Sequence, residues 1–299
     1  METSVRAAEP DDLPAVRAVA RRFGLLSGWP TGSPDFLDAE RLFGTLLIAP
    51  AQARDGGGEP GGGGEPGGGG DNGGGGGGGG GGGVAWGFGG TMRRGDLTHL
   101  GDLFVLPAHQ SSGLGRTMLT QLLSGDGPKV TFASSDHRAM ALYVRHGLRP
   151  WCPLLYLSGP ATGLPAPPPT RVTSPDGVAS LDAQVSGGAR HRTLSWYAAQ
   201  PGVTTYTTGA GYALTRTTAS GTLIGPAGGA EPQDCAHAVL GALATAQGTA
   251  KLALPGTHPL LPSLLVAGWR IHDMDTLMAD DAALALIRPD RYVPHPDLG

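Results

Sequence analysis

The sequence predicts a mixed α/β fold built twice over, and three observations carry that expectation. Apolar segments switch between period-2 and helical spacing in the order strand, helix, strand, helix after a central hairpin. The second half of the 299 residues repeats this element order without obvious residue identity. A Pro-rich stretch, 159–170, lies between the two halves, and the length suits two domains of about 150 residues that each bury a core.

Taken in order, residues 3–8 suit a short strand, and Pro10-Asp11-Asp12 supplies a helix start with Pro14 in the first turn. Leu13, Val16, Val19, Ala20 and Phe23 keep helical spacing opposite Arg17, Arg21 and Arg22, which makes the first helix amphipathic. A second helix starts near Ser33-Pro34-Asp35 and carries Phe36, Leu37, Leu42 and Phe43; the run Leu46-Leu47-Ile48 suits a strand or the end of that helix. The count of 53 glycines would suggest an abnormally flexible chain, but much of it lies in one tract, 56–83, and the remainder has an ordinary globular composition. That tract has no side chains to bury, and too little chain precedes it for a separate core, so it reads as a disordered loop expanding a hairpin tip.

Residues 84–91 and 99–106 read as consecutive strands about the polar turn Arg93-Arg94-Gly95-Asp96, with Pro107 ending the second. A helix follows from Gly113 with Leu114, Met118, Leu119 and Leu122 on one face. Then come a strand at 129–133, a helix at 137–146 ended by Gly147, and extended chain at 148–157. Beyond the Pro-rich stretch the pattern gives strands at 203–207, 210–217 and 222–224, and a helix at 233–247. It ends with strand 251–254, helix 259–267 and strand 269–278.

Composition excludes several classes of function. Net charge is −4, from 21 basic and 25 acidic residues with no long basic run, so neither nucleic acid nor an anionic membrane is an expected partner. Cys152 and Cys235 stand far apart outside any CxxC pairing, and the histidines lack ligand spacing, so neither a disulfide framework nor a metal site is expected. No basic-then-apolar leader pattern follows Met1 and no apolar run is long enough for a membrane span. A soluble, cytoplasmic protein is expected, as monomer or homodimer.

Gln110-Ser111-Ser112-Gly113-Leu114-Gly115 lies between the strand that ends in Leu103-Phe104-Val105-Leu106-Pro107 and the helix that begins near Gly113. Such a turn exposes backbone N–H groups at a helix N-terminus, where the partial positive charge suits a diphosphate and glycine lets it approach the main chain. The pattern [QR]xxGx[GA] should arise by chance roughly once in a chain of this length, so context must decide. Gln184-Val185-Ser186-Gly187-Gly188-Ala189 also fits it, but no apolar strand feeds that match and no apolar-periodic helix follows.

With its feeding strand, the first match resembles the acetyl-CoA signature of the GNAT superfamily of N-acetyltransferases. The family's later helix, roughly Asn-x-x-Ala-x-x-x-Tyr-x-x-x-Gly-Phe, is similar to residues 136–148, with Asp136 in place of Asn, Ala139 and Tyr143 matching, and Leu148 after Gly147 in place of Phe. Residues 5–13 resemble the family's first strand and helix, so the likeness covers about residues 3–157. The second half is similar to the degenerate domain of tandem members through Leu223-Ile224-Gly225-Pro226, the helix 233–247 and Ala267-Gly268-Trp269, but lacks the cradle in context and the Tyr. The resemblance implies tandem GNAT-like domains, each a central mixed, mostly antiparallel sheet flanked by helices. Residues 1–158 would form the N-acetyltransferase domain and 171–299 a catalytically silent domain that completes or covers the substrate cleft.

The activity implied is transfer of an acetyl group from acetyl-CoA, as co-substrate, to a primary amine of a small molecule, protein or peptide. By the same resemblance Gln110, Ser111, Ser112, Gly113, Leu114, Gly115 and Arg116, with Asp136 and Ala139, would bind the co-substrate. The main chain around Phe104 and Val105 would hold its pantetheine arm as an added strand would. Tyr143 would be the general acid at the sulfur; its other reading is a core aromatic beside Ala139 and Leu142. The base could be His99 or Asp102. Strict alternation puts His99, Gly101, Leu103 and Val105 on one face and Asp102 with Phe104 on the other, unless a bulge resets the parity. The plain readings are a satisfied strand histidine and an edge charge, and His109 and His137 read as solvated. Two further functions remain open from sequence: a non-catalytic acyl-CoA-binding regulator, and an interaction scaffold using the Gly-rich loop.

Overall fold

The computed structural model describes residues 4–51 and 84–299; the Gly-rich tract 56–83 and the expectation placed on it lie outside the described residues. β1 (Arg6–Ala7) leads through a turn at Pro10–Asp12 into α1 (Leu13–Arg22), α2 (Phe36–Phe43), β2 (Gly44–Pro50), β3 (Ala85–Arg94) and β4 (Leu97–Val105). Then come α3 (Leu114–Leu122), β5 (Lys129–Ala133), α4 (His137–Arg145) and β6 (Arg149–Pro160). The second half runs β7 (Arg171–Val172), a turn at Pro175–Gly177, α5 (Ala179–Ser186), α6 (His191–Ala198), β8 (Val203–Thr207), β9 (Gly211–Thr218) and β10 (Gly221–Gly229). It closes with α7 (Pro232–Leu243), β11 (Thr249–Pro255), α8 (Leu261–Val266), β12 (Arg270–Ala279), α9 (Asp281–Leu286) and β13 (Tyr292–Val293). The apolar run Leu46-Leu47-Ile48 is strand, and its side chains are buried on both faces of the sheet.

One sheet holds every described strand, in the order β1-β2-β3-β4-β5-β12-β6-β11-β10-β9-β8-β7, with β13 added beside β10. Pairing is antiparallel except between β4 and β5 and between β10 and β11. The order reads the same from both edges once six strands of one half are matched with six of the other. The last strand of each half is exchanged: β12 pairs with β5, from Thr276↔Ala133 to Ala279↔Val130, and β6 pairs with β11, from Thr249↔Pro160 to Pro255↔Leu154. Each half therefore finishes the other's sheet.

The helices cover the sheet with their apolar stripes. α1 and α2 bury Val16, Val19, Phe36 and Leu37 against Phe88 and Met92 of β3, while α3 and α4 bury Leu114, Met118, Leu119 and Tyr143 on the opposite face with Leu100. α7 buries Cys235, Val239 and Leu243 against β9 and β10 in the second half. Entry angles are set by caps: Asp35 accepts from the Leu37 N–H at 3.1 Å, and Arg17 ties Asp35 and Asp38 at 2.8 and 2.6 Å. α4 and α8 end alike. Gly147 (φ 88°) and Gly268 (φ 87°) take the left-handed conformation that glycine adopts without strain, and the next residue's N–H donates to Tyr143 O in one half and to Leu264 O in the other.

Candidate active site

β4 and β5 stay paired only through Thr98↔Lys129, His99↔Val130 and Leu100↔Thr131. Directly after this, Leu100 faces Thr91 while Asp102 faces Gly90, so Gly101 is an extra residue that bulges β4 and re-aims the side chains beyond it. The bulge resets the parity that strict alternation gives. Leu100, Leu103 and Val105 pack on the α3 and α4 side, whereas Phe104 stands on the α1 and α2 side against Phe23 at 4.9 Å and Phe88 at 5.7 Å. Asp102 shares that second side, because Glu40 of α2 reaches it.

Glycine is required here by space. A Cβ on Gly101 would come within 2.6 Å of Glu40 Oε1, and one on Gly90 would land on the same carboxyl group. The two glycines open a slot in which the fully buried Glu40 lies without a nitrogen donor for either oxygen. Burial, followed by the charge of Asp102, holds Glu40 well above the usual carboxylate range, so it keeps its proton. Burial pushes Asp102 up to about 7 against the lowering effect of the neighbouring Glu40 carboxyl.

The turn after β4 is built for an anion. Gln110 Nε2 donates to Val105 O at 3.0 Å and Ser112 Oγ donates to His109 O at 2.7 Å, which fixes the loop on the strand end. Ser111 (φ 61°) and Gly113 (φ 89°) are both left-handed, and Gly113 caps α3 without a side chain. Leu114 N–H reaches Ser112 Oγ at only 3.4 Å, and the Gly115 and Arg116 amides have no acceptor among the described residues. The Arg116 guanidinium lies 3.9 Å from where a Gly113 Cβ would be. Unpaired amides, the positive end of a helix and a guanidinium thus meet at one place. A groove of about 650 Å³ runs from them to α4, bordered by Val105, Asp136, Ala139 and Leu142.

α4 supplies its other wall. Asp136 caps the helix by accepting from Arg138 N–H at 2.8 Å and pairs with the Arg138 side chain, which first among its contacts lowers the carboxyl to about 2. Ala139 keeps the wall shallow, and Tyr143, one turn on, is buried at 7% exposure. Its hydroxyl has no hydrogen-bond partner among the described residues, and the residue borders a second cavity of about 350 Å³ that adjoins the groove along Leu103, Val105, Gln110, Asp136 and Ala139. Burial, then the charge of Asp102, raises the phenol well above its ordinary value.

The structure separates the two candidate bases. Asp102, 8% exposed, borders the second cavity, whereas His99 does not. The His99 ring is buried between Phe132, at 4.8 Å between centroids, and Gly299, and burial next to Arg94 and Arg190 lowers it well below 6.5. His109 stacks on Trp86 at 4.4 Å, and His137 borders the groove mouth. Sequence reasoning missed four groups. Glu40 shares the apolar face of α2 with Phe36, Leu37 and Ala39, a spacing that could have marked it. Tyr156, Asp275 and Asp297 carry no local signal, because their place is set by strand exchange and by the returning C-terminal segment. Tyr156 donates to Asp275 at 2.7 Å, and Trp29 Nε1 donates to Asp297 at 2.8 Å. Burial raises Asp275, and pushes Asp297 to about 6.

The competing match at 184–189 falls at the end of α5, where Gly187 (φ 97°) follows Ser186; carbonyls face out there, the wrong polarity for an anion. No group of three or more His, Cys, Asp or Glu able to hold a metal occurs among the described residues, and no described helix is long and apolar enough to cross a membrane.

Residues 78–148 match the Acetyltransferase (GNAT) family model. No curated protein matches the chain in sequence. Among solved structures, a Pyrococcus horikoshii protein assigned as an acetyltransferase is similar over 99% of this chain and 95% of its own, at 15% identity and a TM-score of 0.70. A GCN5-related N-acetyltransferase from Sphaerobacter thermophilus is similar over 93% of this chain and 95% of its own, at 13% identity and a TM-score of 0.52. A tandem GNAT protein from the clavulanic acid biosynthesis pathway is similar over 94% of this chain and 99% of its own, at 16% identity and a TM-score of 0.52. At such identities the likeness is one of fold.

Proposed function

Residues 78–148 carry the acetyltransferase (GNAT) signature within a fold shared by GCN5-related N-acetyltransferases, and from that premise we propose that this protein transfers an acetyl group from acetyl-CoA to a primary amine. One observation carries the reading: Asp102 and Tyr143 border the same cavity, which adjoins the groove leading to the open N-terminus of α3. The unpaired Gly115 and Arg116 amides, the Arg116 side chain and the left-handed Gly113 suit the diphosphate of acetyl-CoA. Beyond Leu100 the strand backbone of β4 has no β5 partner, which leaves Phe104 and Val105 to bind an extended arm.

Acetyl-CoA supplies an activated carbonyl on a thiolate leaving group. The acceptor arrives as an ammonium and must lose a proton before its nitrogen can form the new C–N bond. Asp102, poised at about 7 with Glu40 holding it from behind, accepts that proton near neutral pH. As the C–S bond breaks, Tyr143, protonated throughout the physiological range, gives its proton to the sulfur, and the second proton shed by the nitrogen as the amide forms restores the phenol while Asp102 passes its own to solvent. Residues 1–158 and 171–299, on either side of the Pro-rich stretch, are taken as the two units of the duplication, the second without its own activity. The enzyme is taken to be cytoplasmic, a monomer or homodimer, with neither nucleic acid nor membrane as partner.

The test is release of CoA thiol over a panel of amines, beside the thermal shift given by acetyl-CoA alone. Asp102→Asn should keep the shift and lower kcat by about 100-fold, with loss of the acid limb near pH 7. A shift without CoA release from any amine would make the protein an acyl-CoA-binding regulator instead.

A further inference from the structure

The second cavity has an unusual wall. Asp102, Asp136, Asp275 and Asp297 border it, and no lysine, arginine or histidine does among the described residues. Six aromatic side chains also line it, Phe23, Phe36, Phe104, Phe132, Tyr143 and Tyr156. Asp102 is more than nine-tenths buried, borders the cavity and receives no N–H donor from any described residue; its one neighbouring partner is the acid Glu40. The carboxylates do not converge as metal ligands must. They are spread over separate elements: Asp102 on β4, Asp275 on β12 and Asp297 on the segment that follows β13. Asp275 is steadied by Tyr156, and Asp297 by Trp29, with Arg216 acting on it electrostatically from behind.

Carboxylates held apart in an aromatic enclosure match an organic cation with more than one charged centre, since rings and acids both favour ammonium groups. Resting on the acetyl-transfer reading, we propose that the acceptor is a compact polyamine-type substrate with at least two ammonium groups. One is delivered to Asp102 and Tyr143 for acetylation, and the other is held by Asp275 and Asp297. The second half, silent in chemistry, thereby sets the substrate class for the first. Tyr156 and Trp29 act as positioning residues for the two specificity carboxylates.

The test compares 1,4-diaminobutane with n-pentylamine on the full-length protein, by steady-state acetylation and by calorimetric binding in the presence of CoA. The diamine should be preferred in kcat/KM by at least about tenfold, the size expected when one desolvated charge pair is made or lost. Asp275→Asn and Asp297→Asn should each shrink that preference ratio, while the thermal shift with acetyl-CoA shows that the variants are folded. Equal kcat/KM for the two amines, or a ratio untouched by both substitutions, overturns the proposal and leaves acetyl transfer standing. If no amine is acetylated, Asp275-dependent binding of the diamine over the monoamine keeps the diamine site as a binding site and overturns its role as acceptor along with the acetyl-transfer reading; failure of both measurements removes both.

Discussion

In the first half β4 parts from β5 after Leu100 and the gap beside it remains a cavity; in the second half β10 parts from β11 after Ile224, and β13 fills the space through Ala227↔Val293 and Gly228↔Tyr292. The two bulges lie at the same point, so Leu100-Gly101-Asp102 answers to Ile224-Gly225-Pro226, and the acid of one half is a proline in the other. The shared helix ending makes Tyr143 answer to Leu264. At the cradle position α3 begins with the bare Gly113, whereas α7 begins with Glu231, whose carboxyl accepts from the backbone three residues on while Asp234 accepts from the Glu231 N–H at 3.1 Å. A capping box consumes the amides that an anion would need and places two acids beside them. One architecture thus yields an open site or a closed one by four local changes.

The strongest attack on this contrast is Gly113→Asp. It forces a side chain into φ 89° and puts a negative charge at the amides, so acetyl-CoA binding by calorimetry should weaken by at least about 100-fold while the fold is kept. Binding that survives would leave the first half no better than the second as a cofactor site. Tyr143→Phe should lower kcat by about 100-fold with little change in acetyl-CoA affinity; an unaltered rate makes this tyrosine as inert as Leu264.

The buried acids around the open site leave a mark on stability. Glu40, Asp102 and Asp297 are raised by burial, so the native chain retains protons that the unfolded chain releases near pH 4, and stability is lost as pH climbs through the native values. His99, His258 and His295 are lowered by burial, the last two to about 4 and about 3, and are neutral in both states above about pH 7. The melting-temperature difference between the unaltered protein and Asp102→Asn should therefore fall as pH rises from about 4 to about 7, a comparison in which the histidines cancel. The smallest effect is expected from Glu231→Gln with Asp234→Asn. Loss of the box should cost about 1 kcal/mol in denaturant unfolding, and acetyl-CoA should still bind at a single site per chain, because Pro226, Leu264 and β13 remain.

Much of the architecture is legible in the sequence. The cradle, α4 with Asp136 and Tyr143, and the strands at 129–133 and 203–207 can be read because short-range spacing and glycine punctuation determine them. β10 runs five residues past Ile224, where beyond its bulge it rejoins β9 and also takes β13, a partner 60-odd residues away in a pairing no local pattern reveals. α5 and α6 escape such a reading: α5 turns Asp182 and Ser186 inward with Val185, and the polar pair hides its buried stripe. Inside, Asp182 is answered by Arg190 at 2.8 Å, a match made only by the fold. The choice between His99 and Asp102 lies beyond local pattern for a similar reason, because one inserted residue in β4 reverses which side chains share a face.

The crossing of β6 and β12 makes each half hostage to the other. A chain cut at the Pro-rich stretch would bare the flank of β5 on one fragment and of β11 on the other, raw hydrogen-bonding borders of the sort that aggregate. Neither fragment would hold a finished sheet; each half is whole only while the other lends it a strand.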